Sequence, residues 1–196
     1  MYIYKSIFFS ILYMELQRPL SGSEMVELLP HTLVLTYNEL PNYTDIEDLL
    51  GESRQFVIMY MTADRSGHWC CVFVSESRPD TLQFFCSYGS PIDSKRIFQF
   101  VDMEVMIRQN QLYNFLSELM INSRYPHITY NNLRLQGRNV ATCGRYVTLR
   151  LWLKNLDNTE FYRVLKYSKH TPDELVTLLT ENYFKGIPLS PLVLMV

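Results

Sequence analysis

The 196 residues of this chain are 47% hydrophobic and 14% aromatic, and only 19% are charged. This balance excludes an intrinsically disordered chain, which has few apolar side chains, and the length suits one domain. The net charge of −2 gives no sign of a dedicated nucleic-acid binder. A local basic patch stays open as an alternative, because four arginines lie close together in the sequence: Arg134, Arg138, Arg145 and Arg150.

The first residues have some features of a secretory signal. Lys5 precedes a short apolar stretch at residues 7–13, but no small-residue cleavage site follows it. The stretch is also too short to span a membrane, and we expect no membrane association. We predict an N-terminal extension or strand at residues 1–19 and a single domain at residues 20–196, because no repeat or Pro/Gly/Ser-rich linker divides the chain.

The first half of the domain is predicted to contain short helices followed by a β-meander. A helix, a strand and a second helix are predicted at residues 20–29, 33–37 and 44–50. The second helix begins at a capping box, Thr44 to Glu47. Three apolar runs rich in strand formers follow, with turns between them, at residues 56–61, 69–74 and 82–85. Short connections favour antiparallel pairing of these strands.

The second half is predicted to be mainly helical. Apolar residues at helical spacing predict one long helix over 105–121, and a further strand is expected at 128–135. Residues 143–153 are apolar nearly all round, which is typical of a helix buried in the middle of a domain. Two more helices are expected, at 161–167 and from Thr171 to about Tyr183, with an apolar tail along the surface after Gly186. The chain is therefore assigned to the α+β class.

The four cysteines do not follow a metal-binding or disulfide pattern. None belongs to a C-x-x-C pair, so we expect no structural zinc, no other metal and no cofactor. Cys70 and Cys71 lie in an apolar run and fit buried, reduced thiols.

Cys143 differs from the other cysteines because it opens the predicted buried helix. The N-terminus of a helix carries partial positive charge and free N–H groups, which lower the pKa of a thiol and favour the reactive thiolate. Gly144 would leave room for a substrate backbone. An inert core cysteine explains the same position equally well.

Two polar residues could complete a reactive site with Cys143. His68 lies where a turn enters a strand, and a histidine close to a cysteine in space makes an activated nucleophile pair. Gln136 could donate its side-chain amide to the oxyanion of a tetrahedral intermediate, together with the backbone N–H of Cys143. Alternatively, both residues are ordinary polar side chains at a sheet edge.

Together these residues make up a pattern that resembles the adenovirus-type maturation proteases, and most of all the proteases of virophages and Polinton elements. More distantly the pattern is similar to the SUMO-deconjugating cysteine proteases. The resemblance covers residues 20–153, and Leu20–Gly22 and Asp48–Gly51 also agree with it. Its most specific segments are Gly67-His68-Trp69, Phe84–Gly89 and Gln136–Gly144.

The resemblance implies a circularly permuted papain-like fold, in which a central mixed sheet packs against a buried catalytic helix and His precedes Cys. It further implies that Cys143 is the nucleophile, that His68 is the general base and then the acid, and that Gln136 lines the oxyanion hole. Gly67, Trp69 and Gly144 would contact the substrate.

The sequence departs from the family at Cys86, where the family has Asp, Glu or Asn. A carboxylate or amide there fixes the imidazole tautomer and stabilises the imidazolium. Three explanations stay open: a Cys–His dyad with a reduced rate, orientation of His68 by Ser87 or Asp93, or a substitution in a degenerate copy.

The function expected from the resemblance is an endopeptidase that cleaves viral capsid or core protein precursors during virion maturation. We expect a monomer in the virion and in the host cytoplasm or virus factory, with a peptide or DNA activator as an open alternative. A ubiquitin-like or SUMO-like deconjugase is one competing function. A catalytically impaired virion structural protein is the other, and Cys86 is its main support.

Overall fold

The structure, a computed structural model, describes residues 2–64, 66–94 and 101–187, with side chains from residue 10 onward. The predicted tail after Gly186 therefore lies almost wholly outside the described residues. The described helices are α1 Tyr2–Gln17, α2 Gly22–Leu28, α3 Ile46–Leu50, α4 Met103–Arg108, α5 Phe115–Ile121, α6 Cys143–Trp152, α7 Asn158–Lys166 and α8 Pro172–Phe184, with a 3-10 helix at Tyr37–Asn42. The described strands are β1 Leu33–Thr36, β2 Gln55–Ala63, β3 Ser66–Ser75, β4 Arg78–Cys86 and β5 His127–Tyr130.

The five described strands form one mixed sheet in the order β1-β2-β3-β4-β5. The three central strands pair antiparallel, which confirms the predicted meander. The outer strands β1 and β5 each pair parallel with their neighbours. The α+β class and the mixed sheet are confirmed.

Helices cover both faces of the sheet, because alternate residues of the central strands are buried on opposite faces. On β3, Trp69, Cys71 and Phe73 face the core that also contains α6, α7 and α8. The alternate residues Cys70 and Val72 face a second core that contains α3 and α5. The predicted buried helix is thus α6, and every residue from Cys143 to Leu151 is buried.

The pairing of β3 with β4 stops short of the start of β3. The described register begins at Cys70 opposite Cys86, and the chain turns away after Cys86 through Gly89, whose φ of 66° suits glycine. A side chain at Gly89 would lie 2.7 Å from the backbone of Leu133. His68 and Trp69 are therefore left beside a gap in the sheet, next to the start of α6.

The predicted long helix over 105–121 is wrong, because the chain forms α4 and α5 with a break between them. Helix α4 ends at Arg108, and Asn110, with φ of 53°, turns the chain away from the helical path. Gln111 then accepts from the Met61 N–H at 2.6 Å and donates to the Met61 carbonyl at 2.8 Å. This tertiary pair satisfies the edge of β2 at its bulge, so it outweighs the helical periodicity of the segment.

Two predicted element boundaries also need correction. The strand predicted at 128–135 ends at Tyr130, because Asn131 leaves the sheet and exchanges hydrogen bonds with the N–H and carbonyl of Cys86 at 2.9 and 2.8 Å. Helix α3 is capped by Asp45, which accepts from the Glu47 N–H at 2.9 Å, and not by Thr44. The capping box predicted at Thr171 is confirmed.

The N-terminal segment is a helix, α1, where an extension or strand was predicted. No helix in the described part of the chain is both long and apolar enough to cross a membrane. The basic patch is also corrected, because Arg145 and Arg150 are fully buried. Arg150 donates to the carbonyls of Leu153 and Leu156 and lies over an aromatic ring, so it belongs to the core.

Candidate active site

Cys143 is the first residue of α6, and its thiol lies in the gap at the start of β3. Only 7% of the residue is exposed. Burial alone would raise the pKa of the Cys143 thiol, but a hydrogen bond from His68 and the N–H groups of Trp69 and Gly144 lower it below its ordinary value. The helix start also favours the anion. The arrangement therefore stabilises a thiolate.

His68 is the third residue of β3 and lies between two thiols. Its Nε2 is 3.3 Å from the sulfur of Cys86, and its ring also hydrogen-bonds to Cys143. Burial would lower the pKa of His68, but the two thiols outweigh burial and raise it to about 10. An imidazole between sulfurs that favour the anion is thus held in its protonated form.

Cys86 takes the position of a third group beside His68. Burial would raise the pKa of Cys86, but the hydrogen bond from Cys70 and the neighbouring His68 lower it well below its ordinary value. Neither alternative partner contacts the imidazole through its described bonds. Asp93 accepts from the Tyr60 hydroxyl at 2.9 Å and from the Ser117 N–H at 2.8 Å.

Ser87, the other alternative, hydrogen-bonds to Gln136. Its hydroxyl donates to Oε1 of Gln136 at 2.6 Å, while Nε2 of Gln136 donates to the Val140 carbonyl at 2.9 Å. Both ends of the buried amide are therefore held, and the amide keeps one further N–H that it can donate. Ser87 positions Gln136 and not His68.

The loop between Gln136 and Cys143 is fixed by side chains from distant helices. Asp173, on α8, accepts from the Thr142 hydroxyl at 2.6 Å and from the Gly137 N–H at 2.9 Å. The end of α1 adds two bonds, from the Ala141 N–H to the Leu16 carbonyl at 2.8 Å and from Gln17 to the Asn139 carbonyl at 2.8 Å. The start of α6 is thereby held in place.

Tyr88 is a contact of the site that the sequence reasoning did not assign. Its ring stacks on His68 with centroids 4.6 Å apart and planes at 17°, and the Arg134 guanidinium carbon lies 5.1 Å from the centroid of the Tyr88 ring. Tyr88 is 38% exposed, so it forms the outer wall of the His68 pocket. Its place in the Phe84–Gly89 motif was the available signal.

The three residues expected to contact substrate have packing contacts in the structure. The Trp69 indole donates to the Leu20 carbonyl at 3.0 Å. A Cβ on Gly144 would lie 3.1 Å from both Met25 and Trp69, so this glycine lets α6 approach β3 closely. A Cβ on Gly67 would lie 2.5 Å from the Tyr60 carbonyl oxygen. These contacts explain the glycines without a substrate.

The chain was compared with protein-family models, with known sequences and with solved structures. No established protein-family model matches the sequence. The structure is similar to the crystal structure of the ASFV pS273R protease, with a TM-score of 0.44 and 18% sequence identity. The match covers 83% of this chain and 66% of that chain. A likeness at this level concerns the fold alone.

A sequence relative is much more similar. The uncharacterized protein V9 of the Sputnik virophage is 36% identical over 169 residues, which span 82% of this chain and 93% of the relative. Identity at this level over nearly the whole relative shows common descent. The chain belongs to the same protein family as the virophage protein V9.

Proposed function

We propose that the chain is a cysteine endopeptidase in which Cys143 is the nucleophile and His68 the general base. The observation that carries the proposal is the hydrogen bond between the His68 imidazole and a thiol at the start of a buried helix. Nucleophile and base within hydrogen-bond reach, with a third group on the base, are the arrangement that covalent catalysis needs.

The reaction would proceed through an acyl-enzyme. The Cys143 thiolate adds to the scissile carbonyl carbon, and the carbonyl π electrons move to the oxygen. The tetrahedral intermediate collapses with cleavage of the C–N bond, and the His68 imidazolium gives its proton to the leaving amine. His68 then takes a proton from the water that attacks the thioester. The second tetrahedral intermediate collapses to the carboxylic acid and the Cys143 thiolate, which again lies beside the His68 imidazolium.

Three further residues would assist these steps. The free N–H of the Gln136 amide and the backbone N–H of Cys143, which has no partner inside the helix, would donate to the oxyanion. Cys86 would orient His68 from its Nε2 side. His68 on a strand before Cys143 on a helix is the chain order of a permuted papain-like protease, and we include that topology in the proposal.

The substrates we propose are capsid or core precursor proteins cleaved near small residues such as glycine. Membership of a virophage protein family supports a viral substrate, and the buried Cys143 and His68 favour a thin peptide over a bulky one. We propose that the enzyme works as a monomer in the virion and in the host cytoplasm or virus factory. With Arg145 and Arg150 buried, a peptide is a better candidate activator than DNA.

A thiol-reactive active-site probe tests the proposal. Selective labelling of Cys143 that is abolished by His68→Ala and retained by His127→Ala is the expected result. His127 is a matched control because its side chain is 65% exposed and it lies on β5, away from Cys143 and His68. Labelling of Cys143 that is unchanged in His68→Ala, or the absence of selective labelling in the unaltered chain, would contradict the proposal.

One observation favours the impaired structural protein as a second candidate. His68 has a thiol where a protease of this kind has a carboxylate or amide. Glycine-containing peptides and tag-fluorophore conjugates offered to the same preparation separate the functions. Peptide cleavage supports the endopeptidase, and tag removal alone supports a deconjugase. The absence of both activities supports the structural role.

A further inference from the structure

A group of soft ligand atoms lies on the Nε2 side of the His68 ring. The ring nitrogen of His68 and the sulfurs of Cys70 and Cys86 all lie within 4.8 Å of one another. We propose that these three side chains bind Zn²⁺, at a site distinct from the Cys143 thiol. The sequence predicts no metal here, because these residues do not form a C-x-x-C motif.

The spacing of the three atoms suits a zinc ion. Zinc lies about 2.3 Å from sulfur and about 2.0 Å from a histidine nitrogen, so its ligand atoms stand about 3.5–4 Å apart. The His68–Cys86 separation is 3.3 Å, and the remaining atoms are within 4.8 Å. Side-chain shifts of about 1 Å or less bring all three into range.

The strands hold the three ligands in place before any ion arrives. His68 and Cys70 are two residues apart on β3 and so point to the same face. Cys86 is the direct cross-strand partner of Cys70, and Asn131 bonds both backbone groups of Cys86. Ligands carried by paired strands lose little freedom when they bind a metal.

The charges favour a soft divalent ion. Two thiolates and a neutral imidazole around Zn²⁺ make an uncharged unit, which a buried position tolerates far better than a free charge. Thiolate and imidazole donors select zinc over magnesium or calcium. Three protein ligands leave the fourth position open, as zinc accepts.

The wall of the site offers a route for the ion. Cys70 and Cys86 are fully buried and His68 is 6% exposed, but the ring that covers His68 belongs to Tyr88, which is 38% exposed. Rotation of this one side chain uncovers the imidazole, and the two thiols lie behind it. An ion would therefore enter from the face of the protein that carries Cys143.

Binding would also switch off the reaction, a consequence that rests on the proposed function. An ion at Nε2 replaces Cys86 as the orienting group and keeps the imidazole neutral, with its one proton on Nδ1 and no free ring nitrogen. His68 can then accept no proton from the Cys143 thiol or from water, so it cannot act as the general base or pass a proton on to the leaving amine. The metal-bound protein would be an inactive form, and removal of the ion would restore activity.

A competition titration on the reduced, metal-free full chain tests the site. Zn²⁺ is divided between the protein and a chromophoric chelator, and we expect one bound ion per chain. Cys70→Ala should weaken binding by about a hundredfold or more, since loss of an outer-shell partner alone costs about 10–100-fold. Cys71→Ala is the matched control, because the Cys71 side chain faces the opposite core. The affinity of this variant for Zn²⁺ should change less than about threefold.

Two results would overturn the site: no stoichiometric zinc binding by the unaltered chain, or equal affinity losses in the two variants. Co²⁺ on the unaltered chain gives a second reading that needs no variant. Sulfur-to-cobalt charge-transfer absorbance supports thiolate ligation, and its absence opposes it. Neither measurement uses a substrate, so the zinc site is tested independently of the proposed protease function. If the chain binds zinc but cleaves no peptide, the zinc site stands, and the protease function and its inhibition by zinc are refuted.

Discussion

The sulfur of Cys86 lies 3.3 Å from Nε2 of His68, where a triad would have a carboxylate. A thiol can accept a hydrogen bond from the imidazole, but it is a weak acceptor when neutral. As a thiolate it supplies negative charge without the two oxygens that fix a ring orientation. Orientation of His68 therefore also depends on the Tyr88 stack, which holds the plane of the ring.

Cys86→Asp should raise kcat/KM if the chain is a protease. A carboxylate would accept from the imidazole with better geometry, and replacement of a triad aspartate in a serine protease costs about 10⁴-fold in kcat. Because the surrounding side chains pack around a sulfur and not a carboxylate, we expect kcat/KM to rise by about tenfold, well short of the 10⁴-fold effect in the serine protease. Peptide-cleavage kinetics measure it, with Cys86→Ala as the control that should lower the rate. No change or a fall for Cys86→Asp would count against the orienting role.

At the scale of elements, the position of Cys143 depends on how closely α6 approaches β3. Gly144 is buried between Met25, Trp69 and Leu20. A Cβ at residue 144 would lie 3.1–3.2 Å from these side chains. That distance is shorter than an ordinary van der Waals contact. A side chain at residue 144 therefore requires these three neighbours to shift by a few tenths of an ångström, and one of them, Trp69, lies on the strand that carries His68.

Gly144→Ala should therefore lower the free energy of unfolding by about 1–3 kcal/mol, the usual cost of overpacking. Gly22→Ala is the control, because a Cβ there has its nearest neighbour, an atom of the same Trp69 ring, at 4.0 Å. Gly22 opens α2, where alanine should be neutral or slightly stabilising. Urea unfolding of both variants measures the difference, and equal stabilities would contradict this account of the contact.

The loop before Cys143 depends on a second element, α8. Asp173→Ala removes both bonds to the loop, from Thr142 and Gly137, so the start of α6 and Gln136 lose their alignment. We expect kcat/KM to fall by up to about 100-fold, since a misplacement of about 1 Å in a catalytic group can cost that much. Cleavage of a glycine-containing peptide is the measurement.

Glu174→Ala is the adjacent control for that variant. It removes the capping-box bond to the Thr171 N–H and should cost about 1 kcal/mol of stability, with little effect on cleavage. Similar losses of kcat/KM in the two variants would mean that Asp173 acts only by stabilising α8.

For the whole molecule, an ion-pair network around the buried Arg145 joins helices that are far apart in sequence. Arg145, fully buried on α6, pairs with Glu181 at 2.7 Å and with Glu15 at 3.2 Å. Arg18 pairs with the same two carboxylates and with Glu24. The end of α1 is thus bonded to α6 and α8, and the boundary predicted at residue 19 stays a prediction.

Glu181→Leu should lower the free energy of unfolding by about 3 kcal/mol, because it leaves the Arg145 guanidinium buried with one carboxylate. The double variant Glu181→Leu/Arg145→Met should be less damaged than the single variant, since it removes the buried charge together with its partner. Thermal and urea unfolding of the unaltered chain, the two single variants Glu181→Leu and Arg145→Met, and the double variant complete the cycle. A double variant as unstable as the sum of its parts would refute the coupling.

The sequence by itself determined the features that local chemistry encodes. The capping box at Thr171, the antiparallel meander and the buried helix opened by Cys143 follow from short-range hydrogen bonding and from the alternation of apolar side chains. A short motif was also enough to name His68, Cys143 and Gln136 as candidates.

Only the tertiary structure decided the contacts between residues distant in the chain. The pairing of Gln111 with Met61 breaks a predicted helix, Asp173 fixes the loop before Cys143, and Cys70 joins His68 and Cys86 in one cluster. Each contact joins separate elements of the fold, up to 50 residues apart in the chain, and none leaves a periodic trace in the sequence. The physical reason is that a buried polar group needs a partner wherever the fold provides one, and the fold, not the local sequence, brings that partner near.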